Sequence, residues 1–116
     1  MKYDITEIEA EVGQEIEIVF QNNDAMQHNL MIVKPGTLAL VGVTAEEFAK
    51  TKEAPERDYI PEMEEILYAT PMLNPGETYR LRVKVPDKPG LYPYVCTFPG
   101  HWQTMNGMLR VTETVQ

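Results

Sequence analysis

The segment VCTFPGHWQTMNG, Val95 to Gly107, holds the only cysteine of the chain, one of its two histidines and the turn residues Pro99 and Gly100, without a single charged side chain. Two runs with strand character flank it, GLYPYVC before and GMLRVTE after. A thiol, an imidazole and a thioether therefore share one loop between two strands. The second histidine, His28, lies far earlier, at the head of the run HNLMIV. Only a fold that sets sequence-distant strands side by side can bring His28 to that loop, which points to a β-sandwich.

The rest of the chain agrees with that reading. YDITEIEAEVGQEIEIVFQNND gives two runs, with Ile5 and Ile8 in the first and Ile16, Ile18 and Phe20 in the second, broken at Gly13 and ending in the loop Asn22-Asn23-Asp24. HNLMIV is a third strand, stopped by Lys34-Pro35-Gly36. Further on, EILYAT and ETYRLRVKV follow, the latter alternating through Tyr79, Leu81, Val83 and Val85, with LNPG and PDKPG as breakers. Between the two halves, TAEEFAKTKE opens with Thr44 and Glu47 in capping-box spacing. That spacing predicts a helix starting near Ala45, with Phe48 and Ala49 inward. APERDYIP then reads as a surface connection, and residues Thr37 to Tyr59 as a helical flap. The predicted fold class is all-β: a Greek-key sandwich or barrel of about seven to eight strands with a short helical flap.

At 116 residues and 43% hydrophobic content, the chain fits a single domain over 1–116 with an ordinary core. No apolar run approaches the roughly 20 residues that span a bilayer, and the start MKYDITEIEAEVG lacks the apolar region of a signal peptide. The chain as it stands reads as soluble, whether as the mature part of an exported protein or as a domain of a longer one. One cysteine excludes an intramolecular disulfide. A formal charge of -8 argues against nucleic acid as a partner, since phosphate binding wants a basic face. The acids cluster from Asp4 to Glu17 and from Glu46 to Glu65, as solvated faces that keep the protein soluble.

His28, Cys96, His101 and Met105 form the candidate site. Each alone has an ordinary structural explanation: a lone cysteine is a small buried hydrophobe, and a methionine is packing. Together they are the donor set of a blue-copper electron-transfer centre, two imidazoles and a thiolate in a trigonal arrangement with a weak axial thioether. Soft sulfur suits Cu(I) and imidazole suits both oxidation states, so a site acceptable to both rearranges little when an electron arrives.

CTFPGHWQTM resembles the ligand loop of azurin and auracyanin-like members of the cupredoxin family, whose pattern is Cys, four residues, His, three residues, Met. MQHN is similar to the family's first-histidine segment, and DYIP, NPGETYRLRVKV and the helical flap have azurin-like counterparts. The resemblance implies a mononuclear type 1 copper protein that carries single electrons and is not an enzyme. It implies His28, Cys96 and His101 as equatorial ligands, Met105 as the axial one and the carbonyl of Gln27, where the family usually has glycine, on the other axis. Met108 is a rival thioether, assigned outward because it is in register with Arg110 and opposite Leu109 and Val111. Asn29 is expected to bond toward Thr97, with the amides of Asn29 and Phe98 aimed at the Cys96 sulfur. The edge of His101 is the expected electron port, framed by Met26, Phe98, Pro99 and Trp102. Implied partners are transient redox proteins such as c-type cytochromes or a fused oxidoreductase, in a periplasmic or extracellular setting, with zinc as an adventitious substitute for copper. The competing functions are the electron-entry domain of a larger redox enzyme, copper storage and nucleophilic catalysis by Cys96. A second copper centre needs histidines beyond the two in the chain. Catalysis lacks a group to orient His101 as a base.

Overall fold

A computed structural model describes residues 2–114. Seven strands are formed among them: β1 (Glu7–Glu11), β2 (Glu15–Gln21), β3 (Met31–Val33), β4 (Ile66–Ala69), β5 (Thr78–Lys84), β6 (Gly90–Val95) and β7 (Asn106–Thr112). One helix, α1 (Leu38–Phe48), and a 3-10 turn, Pro55–Arg57, lie between β3 and β4. The strands form a five-stranded sheet in the order β1-β7-β6-β3-β4 and a two-stranded sheet of β2 and β5. All pairings are antiparallel except β1 with β7, which run parallel.

Alternation explains most of this. In β5, Leu81 and Val83 point into the core while Arg80, Arg82 and Lys84 face water, and β7 buries Gly107, Leu109 and Val111 in the same way. Their side chains meet Ile32, Tyr92, Tyr94 and Phe20 in the main core between the sheets. The strand β3 is buried on both faces, which is why it reads as a continuous apolar run and not as an alternating one. Ile32 enters the main core, whereas Met31 and Val33 join Val41 and Val95 in a second cluster under α1.

Three expectations are corrected. The helix begins at Leu38 after Thr37, well before Ala45, and Thr44 lies inside it. Burial decides this: an earlier start lets Val41, Gly42 and Ala45 seat against the second cluster, with Phe48 and Ala49 only half-buried. The Thr37 hydroxyl donates to the Lys34 carbonyl, so no side chain caps the helix. Ile5 precedes β1 and is exposed, leaving Ile8 and Ala10 as the inward pair. Tyr79, near the start of β5, is also exposed and not a core residue.

Candidate metal centre

The end of the sandwich where β3 begins and β6 stops carries the predicted donors. His28 reaches it through a pair of backbone bonds with Leu73: His28 N–H donates to Leu73 O at 3.2 Å and Leu73 N–H to His28 O at 2.8 Å. Cys96 follows directly on β6. From there the loop closes in short turns, His101 N–H to Phe98 O at 3.0 Å and Met105 N–H to His101 O at 2.8 Å. Gly100 supplies the left-handed residue this requires, at φ 87°. Cys96 N–H then donates to Met105 O at 3.0 Å, which brings the two ends of the loop back together.

The result is a compact donor set. Cys96 Sγ lies 3.8 Å from His28 Nδ1 and 3.7 Å from His101 Nδ1, and the three donor atoms all fall within 4.8 Å of one another. All three residues are buried, and so is Met105. Met108 lies half-buried on the face of β7 opposite Leu109 and Val111, as its register predicts. A surface cleft of about 650 Å³ lies along β2 and β5 and contains none of the four predicted donor residues. A second cleft, about 470 Å³, is lined in part by His28 and Met105.

Hydrogen bonds hold the two ligand-bearing segments together. The buried Asn29 side chain donates to Thr97 Oγ1 at 2.9 Å and accepts from Thr97 N–H at 2.8 Å. It also donates to Asp58 O at 3.1 Å, and Thr97 Oγ1 donates to Tyr59 O at 2.8 Å. Asp58 and Tyr59 are both left-handed, at φ 56° and 57°, a conformation that costs a non-glycine residue roughly 1–2 kcal/mol. The Asn29–Thr97 tie is the expected one, whereas the two consecutive flap carbonyls that bind the two loops were not legible in the sequence.

Burial pushes the Cys96 thiol up from 9.0 to about 11, against the pull of the Asn29 and Phe98 amides on its sulfur. Burial also lowers His101, helped by the nearby charge of His28. Imidazole nitrogens aimed at a buried thiol that ionises only reluctantly fit a soft cation, which would replace the proton on sulfur.

Phe98 is half-buried, with its ring 5.0 Å from that of His101 and 5.6 Å from Tyr59. Pro99 and Met26 are exposed. The Gln27 side chain donates to Asn74 Oδ1 at 2.6 Å. Trp102 is not a free rim residue: its indole packs over Gly42 of α1 and donates to Glu46. Sequence reasoning missed Asp24, whose Oδ2 lies 3.0 Å from His28 Nε2. That bond, with the Ala25 N–H, holds the Asp24 carboxyl below the usual carboxylate range. Its only signal was an acid four residues ahead of the histidine.

Two imidazole nitrogens and a buried sulfur, presented by the loops at one end of a Greek-key sandwich, define a mononuclear copper-binding protein of the cupredoxin class. The family model described as "Copper binding proteins, plastocyanin/azurin family" matches residues 1–112, and the chain belongs to that family. It is 34% identical to auracyanin A of Chloroflexus aurantiacus over 113 residues, covering 96% of this chain and 67% of the relative. It is 38% identical to auracyanin B of the same organism over 100 residues, covering 84% of this chain but only 40% of the relative. The structure of auracyanin A, a "blue" copper protein, superposes with a TM-score of 0.83 at 33% identity, covering 96% of this chain and 89% of that one. A reduced auracyanin from Roseiflexus castenholzii gives 0.80 at 33%, covering 95% and 86%.

Proposed function

We propose that this domain is a single-electron carrier in which His28, Cys96 and His101 would hold one copper ion, with the Met105 thioether as a further, weaker donor. The observation that carries the reading is the convergence of the three donor atoms within 4.8 Å, in a setting fixed by the Asn29–Thr97 bonds. Copper, when bound, supplies the electron chemistry by cycling between Cu(I) and Cu(II).

The protein's part is to keep the donors still. Cys96 and His101 are tied by the turns of their loop, and His28 by Leu73, so little reorganisation accompanies a change of charge. The amides of Asn29 and Phe98, directed at the sulfur, stabilise its anionic form. The carbonyl of Gln27 would be a further, distant contact to that ion. His101 is 5% exposed, so that only its edge reaches solvent. This edge, beside Pro99 and Phe98, is the proposed electron port. The ligand loop around it carries no charged side chain, which suits brief docking of redox proteins such as c-type cytochromes or a fused oxidoreductase. The role is that of a carrier, not an enzyme. The proposed setting is periplasmic or extracellular, and zinc is the expected substitute when copper is scarce. No helix among the described residues is long and apolar enough to cross a membrane.

Visible absorption and EPR spectra after addition of Cu(II) test the reading. An intense blue band with narrow copper hyperfine splitting, abolished by Cys96→Ala, is expected. A pale protein whose spectrum ignores that substitution would refute it.

A further inference from the structure

The two ring nitrogens of His28 face different groups. Nδ1 looks inward to Cys96 Sγ at 3.8 Å, and Nε2 looks outward to Asp24 Oδ2 at 3.0 Å. A neutral imidazole has one N–H and one lone pair, so whichever nitrogen carries the proton, the other is the metal ligand. His28 is only 3% exposed, so its Nε2 has little access to bulk water as an alternative partner.

Asp24 is itself held in place. Its Oδ1 accepts from Ala25 N–H at 2.7 Å, which leaves Oδ2 for the ring, and its own N–H donates to Asn22 Oδ1 at 2.9 Å. The buried Asn22 donates in turn to Met26 O at 2.8 Å and Leu73 O at 3.0 Å. Leu73 is also the backbone partner of His28. Carboxylate and imidazole therefore hang from one frame, and their separation is set by the fold more than by a flexible surface contact.

We infer that Asp24 is a positioning residue for the copper site: by accepting the Nε2 proton of His28 it fixes the tautomer whose Nδ1 lone pair faces Cys96, and its charge favours the oxidised ion. The inference rests on the copper reading above. A carboxylate bonded to the far nitrogen makes an imidazole more basic, and a fixed negative charge stabilises the more positive oxidation state. Loss of such a partner weakens metal binding about 10- to 100-fold. Taking the lower figure as the change in the Cu(II)-to-Cu(I) affinity ratio, Asp24→Ala raises the one-electron potential by about 59 mV.

Two measurements decide the matter. The first is the reduction potential of copper-loaded wild type, Asp24→Ala, Asp24→Asn and Asp4→Asn. Asp4 shares the cleft with His28 without bonding to it and so controls for charge alone. The expected order is a large rise for Asp24→Ala, a smaller one for Asp24→Asn, which keeps an acceptor oxygen, and the least for Asp4→Asn. Equal shifts in Asp24→Ala and Asp4→Asn would overturn the inference. The second is the nitrogen-15 NMR spectrum of the His28 ring in metal-free wild type at pH 8. A proton on Nε2 alone supports the inference, and a proton on Nδ1, in either the other tautomer or the imidazolium, overturns it. This second readout needs no copper and no variant, so it decides even where Asp24→Ala fails to fold, and it separates failure here from failure of the copper reading.

Discussion

Gly42→Ala sets intrinsic helix preference against a single close contact. Gly42 lies inside α1, where alanine is favoured over glycine by about 1 kcal/mol. From sequence alone the substitution should stabilise. In the structure, however, a Cβ at position 42 would lie 2.1 Å from Trp102 Cδ2, 2.4 Å from Cε3 and 2.7 Å from Cε2. Carbon atoms in contact rest about 3.5–4.0 Å apart, so the indole must retreat by about 1.5 Å. It would then lose its place against the cluster of Val41 and Val95 and its bond to Glu46. Overpacking of this kind costs about 1–3 kcal/mol, and here the indole's lost contacts put it at the upper end, leaving a net loss of about 1–2 kcal/mol after the helix gain. Urea denaturation measures it, and Trp102, the only tryptophan in the chain, reports the displacement by a red-shifted emission. In a Trp102→Ala background, followed by circular dichroism, the sign should reverse to a gain of about 1 kcal/mol. If Gly42→Ala stabilises in both backgrounds, the indole does not rest on the helix as described.

Gly107→Ala meets a less yielding neighbour. Its Cβ would fall 2.3 Å from Tyr94 Cζ, in a ring that is buried and hydrogen-bonded to Ile5 O, so a loss of about 2–3 kcal/mol is expected in the same denaturation assay. Asn29→Ala removes three side-chain hydrogen bonds and strands the Thr97 amide; the metal-free protein should lose about 2–4 kcal/mol, read from its urea midpoint. Tyr3→Phe removes the 2.7 Å bond to Asn29 O and should cost about 1 kcal/mol at neutral pH. Burial, followed by the nearby Cys96 and Tyr94, raises the Tyr3 phenol well above its usual 10.0. The unfolded phenol therefore ionises first. The stability it contributes is complete below pH 10 and lost as pH rises beyond it, so the gap between wild type and Tyr3→Phe should narrow in that range. A gap that stays constant or widens would contradict the burial.

Much of the fold was legible because it rests on local pattern. The alternation in ETYRLRVKV and GMLRVTE marks one face of a strand whatever lies opposite, and Pro/Gly breakers separate the runs. The donors were legible for a related reason: Cys96, His101 and Met105 share one short loop, and the only other histidine completes the set. The helix start was not, because Thr44 and Glu47 are a good local signal that burial of Val41 and Gly42 outweighs.

What the sequence determined by itself is therefore the chemistry and the strands: which side chains can hold a soft metal, and which runs pleat with one apolar face. Only the tertiary structure decided how those donors are held. Asp24 behind His28, Trp102 on Gly42, and the left-handed carbonyls of Asp58 and Tyr59 receiving Asn29 and Thr97 are all such contacts. Most join residues far apart in the chain, and even Asp24 and His28, four apart, meet only because Asn22 and Leu73 shape the loop between them. Periodicity reports which face a residue takes. Its partner across a loop or a layer is fixed only when packing closes the chain upon itself.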